Sequence, residues 1–172
     1  MTVRDRAQAA LKSLVGLTMA RSTRASQWQY FHFFSSVPDE IEGIKGDWVL
    51  CIQCPWRICT PNEVLTGHYD VFEPPNENGA NDPAFEWDVK GGNLRDVNLK
   101  KFFSERAPKV VRVDSDNYGG FELHMEEAFV LAAFPTMTRV FECGEHWRLF
   151  DNAEKDTEHF VVDTVKLAEW RA

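Results

Sequence analysis

Three cysteines within nine residues, Cys51, Cys54 and Cys59, are the first feature of the chain able to hold a metal or cycle a disulfide. Zinc needs four ligands in a tetrahedron, and a redox pair favours a helix N-terminus, whose dipole lowers a thiol pKa. Here Cys51 and Cys54 belong to the apolar run from Trp48 to Gln53 (WVLCIQ) and its continuation into Pro55-Trp56, which reads as extended chain. In a strand their odd separation sends the two sulfurs to opposite faces. No second C-x-x-C and no paired-histidine motif accompanies them. Buried thiols of a reducing compartment are the expectation.

Other residue groups have the composition of a site. Glu122, His124 and Glu126 lie two apart and so share one face of a strand, where they could meet a hard cation or act as a base. An ordinary solvated strand face has the same pattern, and no nucleophile accompanies it. Asp114-Ser115-Asp116-Asn117-Tyr118-Gly119 opens like a calcium loop, but Tyr118 takes the fifth position and Met125 the twelfth, where a bidentate Glu is needed. A turn is expected there instead. His68 and Asp70 have the types of an acid–base couple, without a third partner in view. Trp56-Arg57 and Trp147-Arg148 combine the side chains most often found at interface hot spots. Neighbours on a strand oppose, so a core tryptophan would leave its arginine outside. The expected binding residues are therefore Trp56, Arg57, His68, Asp70, Trp147 and Arg148. With no G-x-S-x-G, H-E-x-x-H, P-loop or dinucleotide fingerprint, no catalytic residue, metal ligand or cofactor is expected.

The elements that must position these residues follow from periodicity. Residues 4 to 20 read as a helix, with Ala7, Ala10, Leu11, Leu14 and Val15 on one stripe. From Gln27 the period falls to two. Strands are expected at Trp28–Phe33, Trp48–Gln53, Trp56–Cys59, Val64–Thr66, Lys109–Ser115, Phe121–Glu126, Phe129–Phe134, His146–Phe150 and His159–Val162. Residues 109 to 163 are expected to form one twisted meander. Phe121, Leu123 and Met125 alternate inward against Glu122, His124 and Glu126. A short helix over Asn93–Phe103, capped by Asn93, would turn Leu94, Val97 and Phe102 to one side. Residues 70–88 form a long acidic, proline-containing loop. The predicted class is α+β: an N-terminal helix packed on a mainly antiparallel, aromatic-rich β-sheet, in one domain over residues 1–172.

Charge narrows the partners. Of the formal net charge of −8, residues 1–24 supply +4, leaving −12 on the rest. An acidic body repels phosphate backbones and attracts a basic protein, so no nucleic acid is expected on the main body. No apolar run approaches the roughly 18 residues of a membrane span, and the Leu14–Ala20 stretch is interrupted by Gly16 and Thr18; the reading is a cytoplasmic protein with no membrane association.

At Gln53-Cys54-Pro55-Trp56-Arg57-Ile58, Gly67-His68-Tyr69-Asp70 and Glu145-His146-Trp147-Arg148-Leu149-Phe150 the sequence resembles a family of small bacterial proteins to which no activity is assigned. The resemblance spans residues 25 to 163 and carries no residue roles. In size and acidity the chain is also similar to the immunity proteins that neutralise bacterial toxins. Two functions are open at this point. One is a non-catalytic binding protein, in its narrow form an immunity-type inhibitor of a basic toxin. The other is a small-ligand domain or enzyme with an aromatic pocket near Trp56 and His68, walled also by Trp28 and Trp48.

Overall fold

The computed structural model describes residues 1–76, 83–137, 145–152, 158–163 and 169–171. It opens with α1 (Val3–Leu11), started by a capping box in which Thr2 Oγ1 accepts the Asp5 N–H at 3.1 Å and the Asp5 carboxylate accepts the Thr2 N–H at 3.0 Å. A single 3-10 turn (Lys12–Leu14) follows, and the helix ends well before residue 20. The apolar stripe continues through that turn, since Leu14 is fully buried, while Val15 is exposed. Gly16, at φ +89°, then lets the chain reverse into β1 (Thr18–Ala25). This strand lacks an apolar row because the side chains it turns inward are Met19, Ser22 and Arg24, opposite Phe33, Phe31 and Gln29.

The chain continues through β2 (Trp28–Phe34), β3 (Trp48–Ile52), β4 (Trp56–Cys59), β5 (Val64–Gly67), a 3-10 segment (His68–Phe72) and α2 (Leu94–Glu105). Next come β6 (Val110–Ser115), β7 (Phe121–Met125), β8 (Val130–Ala133), β9 (Trp147–Asp151), β10 (His159–Val162) and β11 (Glu169–Arg171). These make two antiparallel sheets, a six-stranded one ordered β1-β2-β3-β9-β10-β11 and a five-stranded one ordered β5-β4-β8-β7-β6. The class is α+β, with α1 laid on β6, where Gln8 Nε2 donates to Val113 O at 2.6 Å.

The expected meander holds only through β6, β7 and β8. β9 leaves it to pair with β3, placing Arg148 beside Cys51 and Trp147 beside Ile52. The physical reason lies in β3 itself, whose residues Val49 to Ile52 are buried on both faces, so its free edge needs a covered neighbour. The sheets join at two corners. β3 runs on through Gln53–Pro55 into β4, and His146 O accepts from both Gln53 N (2.9 Å) and Cys54 N (3.0 Å) at the crossing. At the other corner Thr18 bridges Lys109, and Val110 N donates to Leu17 O at 2.9 Å.

One core fills the space between the sheets, with Phe31, Phe33, Leu50, Ile52, Trp147 and Leu149 facing Trp56, Ile58, Leu123 and Leu131. Trp147 Nε1 donates to Gly119 O at 2.6 Å, which satisfies its polar atom in the interior. Gly119 has φ +86°, and a Cβ there would stand 2.7 Å from Val162 Cγ1, so only glycine fits. α2 packs on β1, β5 and the 3-10 segment. It starts at Asn93 as expected, but buries Arg95, Leu99 and Phe102 and leaves Val97 exposed. The helix is thus turned from the expected Leu94–Val97–Phe102 face, because Arg95 is drawn under it to the backbone of His68.

Candidate functional site

Trp56, at the start of β4, points into the core and meets Phe31 edge-on at 5.2 Å. His68, after β5, is buried beside it, and burial pushes its pKa down to about 4, with the Arg95 charge adding to the effect. Arg95 completes the group: its Nη1 donates to His68 O at 3.0 Å and its guanidinium lies 5.8 Å from the Trp56 ring centre. Arginine is normally an exposed residue; here its exposure is 0%. Burial lowers its pKa to about 10, which leaves it charged at neutral pH. Among the described residues, Trp56 Nε1, His68 Nδ1, and Nε and Nη2 of Arg95 have no hydrogen-bond partner. Asp70 does not join His68 as an acid–base couple. Its Oδ2 accepts from Thr66 Oγ1 at 3.0 Å and Gly67 N at 2.9 Å, holding the start of the 3-10 segment.

That segment exposes a different surface. With about three residues per turn, a 3-10 helix eclipses side chains three apart, so Tyr69 and Phe72 project together. They are 65% and 39% exposed. Phe72 meets Trp87 at 5.3 Å, and Glu73 O accepts from Leu94 N at 2.8 Å, which ties the segment to α2. Exposed Glu63, Glu73, Glu86 and Asp88 belong to the same stretch, which has no Lys or Arg between Arg57 and Lys90. Asp88 reaches Arg24 at 2.8 Å, and Arg24 also pairs with Asp96 at 2.9 Å, so this arginine is held from both sides.

The two Trp-Arg pairs obey strand alternation without forming one surface. Trp56 and Trp147 both face the core. Arg57 lies over the Phe134 ring at 4.9 Å on the outside of the five-stranded sheet. Arg148 lies on the outside of the six-stranded sheet, bound by both carboxylate oxygens of Glu145 and 3.0 Å from His159 Nδ1. Gln53 Nε2 also donates to Glu145 at 2.9 Å. Burial lowers the His159 pKa and the nearby Arg148 charge lowers it further. Cys51 lies beside Arg148, its pKa pushed up to about 12 by burial, and Cys54 reaches about 12 for the same reason from within the core. Both thiols are free and protonated at neutral pH; Cys143 lies outside the described residues.

The remaining expected sites resolve as surface structure. His124 Nε2 stands 3.1 Å from Asp114 and 3.2 Å from Glu122, while Glu126 turns away to accept the Lys109 N–H. Asp116 Oδ1 accepts from Tyr118 N and Gly120 N at 2.7 and 2.8 Å, closing the expected turn. Among the described residues no group of three or more His, Cys, Asp or Glu is placed to hold a metal. Trp28 and Trp48 sit at opposite ends of adjacent strands and do not wall one pocket with Trp56 and His68. A cleft of about 670 Å³ lies instead between β1 and α2, lined by residues including Arg21, Gln29, Glu42, Lys90, Leu99 and Lys100. Arg95 and Glu145 are the members of these clusters that sequence reasoning misses. The one signal for Arg95 is its place two residues after a helix cap; for Glu145 it is the spacing of three to Arg148.

No family model, curated protein or solved structure matches the chain.

Proposed function

We propose that this chain is a non-catalytic binding protein that engages a basic protein through the acidic, aromatic surface of residues 69–73 and 86–88, in its narrow form an immunity-type inhibitor of a basic toxin. The observation that carries this reading is the joint exposure of Tyr69 and Phe72 on the 3-10 segment, with exposed Glu73 next to Phe72 and exposed Glu86 and Asp88 flanking the Trp87 that Phe72 meets. Rigid aromatics supply contact energy and the surrounding carboxylates steer a cationic partner. The buried, free thiols suit a reducing compartment such as the cytoplasm. No helix of the described residues is long and apolar enough to cross a membrane.

The test is recovery of partners on the immobilised chain, followed by affinity measurements on each. A specific partner is expected to be basic and to bind more weakly as salt rises. Tyr69→Ala and Phe72→Ala should each weaken it by about 2 kcal/mol. The double reversal Glu73→Lys/Glu86→Lys should slow association about tenfold or more. Affinity indifferent to salt and to all four changes would overturn the reading.

A further inference from the structure

The surface proposed above makes no use of the most unusual buried group in the molecule. Arg95 sits in the first turn of α2 with its side chain folded beneath the helix, fully shielded from solvent. Among the described residues its one hydrogen bond runs from Nη1 to His68 O, and Nε and Nη2 stay unpaired. Those two nitrogens form the side-on edge of a guanidinium, with parallel N–H bonds spaced to match the two oxygens of a carboxylate. The two carboxylates whose charges act on Arg95, Asp96 and Asp70, make their hydrogen bonds elsewhere. Asp96 accepts from Arg24 Nε, Gly91 N and Asn93 Nδ2, and Asp70 Oδ2 accepts from Thr66 and Gly67.

The polar atoms left open around Arg95 are not scattered. Trp56 Nε1 is a further buried donor on the ring that Arg95 overlies. His68 Nδ1 is open on the residue whose carbonyl Arg95 binds. Gln29 faces the same interior, two residues from the Phe31 that packs on Trp56, and its Oε1 is likewise unpaired. Gln29 also lines the cleft between β1 and α2, whose other lining groups include Arg21, Lys90 and Lys100 against Glu42 and the engaged pair Arg24–Asp96. Neither lysine has an ion-pair partner among the described residues. Leu99, four residues after Arg95 on α2, lines the cleft as well, so a cleft with excess positive charge, on a protein of net charge −8, borders the buried face of the helix that carries Arg95.

We propose that the Nε–Nη2 edge of Arg95, together with Trp56 Nε1, binds a small carboxylate whose short apolar body lies against Trp56, Phe31 and Leu99 and which enters by the β1–α2 cleft. The charges of Asp96 and Asp70 act on Arg95 from a distance, but among the described residues no carboxylate bonds to its Nε–Nη2 edge. A bound carboxylate would pair both N–H groups of that edge at once. Gln29 Oε1 and His68 Nδ1 then favour a ligand that carries a hydrogen-bond donor at its other end. The site is buried and uses none of the exposed side chains of residues 69–73 and 86–88, so either proposal can fail without the other.

The experiment titrates the isotope-labelled full chain with sodium acetate and with sodium benzoate, against sodium chloride at equal ionic strength. It follows the six tryptophan indole N–H resonances, with that of Trp56 assigned by Trp56→Phe. The Trp56 resonance is expected to move saturably with at least one carboxylate, at millimolar concentrations. Arg95→Lys keeps the charge but loses the paired edge, and should raise the dissociation constant about tenfold or more. A Trp56 resonance that stays still to about 100 mM of both carboxylates overturns the proposal. So does one that moves as far in chloride alone, or with a midpoint unchanged by Arg95→Lys. Should Arg95→Lys fail to fold, the wild-type titration decides.

Discussion

His32 shows how a single side chain sets the pH response. On the outer face of β2 it accepts the Gly46 N–H at Nδ1, which fixes the proton on Nε2, and Nε2 donates to Thr23 Oγ1 at 2.9 Å. Burial, reinforced by Arg21 and Lys45, pushes its pKa down to about 4, and His68 reaches about 4 by burial beside Arg95. In the unfolded chain both return to about 6.5. Between these values the unfolded state binds more protons, so stability is complete above pH ~6.5 and is lost as pH falls toward 4, by on the order of 3 kcal/mol for each histidine. The urea midpoint should therefore drop between about pH 7 and 4.5, and His32→Gln should remove about half of that slope. A midpoint flat across the range would contradict the burial of both rings. At this scale the thiols were legible as buried, although β3 ends at Ile52 and Cys54 sits in the corner beyond it, so strand parity is not what separates them. Arg95 was not, since the general preference of arginine for solvent points the other way.

Among the elements, α2 was legible at its start and misread in its rotation. Asn93 is an unambiguous cap: it accepts the Asp96 N–H at 2.9 Å, and its amide donates to Trp87 O at 2.8 Å. Asn93→Ala should cost about 2 kcal/mol or more, because it strips the helix cap and leaves the Trp87 carbonyl unpaired. Asn93→Asp keeps the cap alone and should fall between, as read from chemical denaturation. Equal stability of Asn93→Ala and wild type would show that the cap does not hold the helix. The face of α2 went astray because a buried arginine took a place that periodicity assigns to an apolar residue. β1 escaped notice for a related reason. Its inward Arg24 is neutralised by Asp88 and Asp96 rather than by apolar neighbours, and only the folded chain brings those carboxylates to it. β4 and β7, with alternating burial, needed no such partner to be recognised.

For the whole molecule, one core serves both sheets, so they should melt together. Far- and near-ultraviolet circular dichroism should report a single, coincident transition. Trp147→Phe, which loses the bond to Gly119 O and part of a fully buried ring, should lower stability by about 2–3 kcal/mol without splitting that transition. Two separate melts would mean that the sheets are independent units. The uneven charge was readable from composition, whereas the acidic aromatic face needed the 3-10 turn to align Tyr69 with Phe72. The partition into two sheets was hidden because nothing local tells β9 to leave β8 for β3. That pairing, with Cys51 beside Arg148 across most of the chain, has a consequence for synthesis. While the ribosome is still making the second half, β1, β2 and β3 can already associate, and the oily segment WVLCI waits with one flank open. Closure is a late, long-range event of the kind that makes folding slow. Until β9 emerges, that flank is the place where a nascent chain can catch a neighbour.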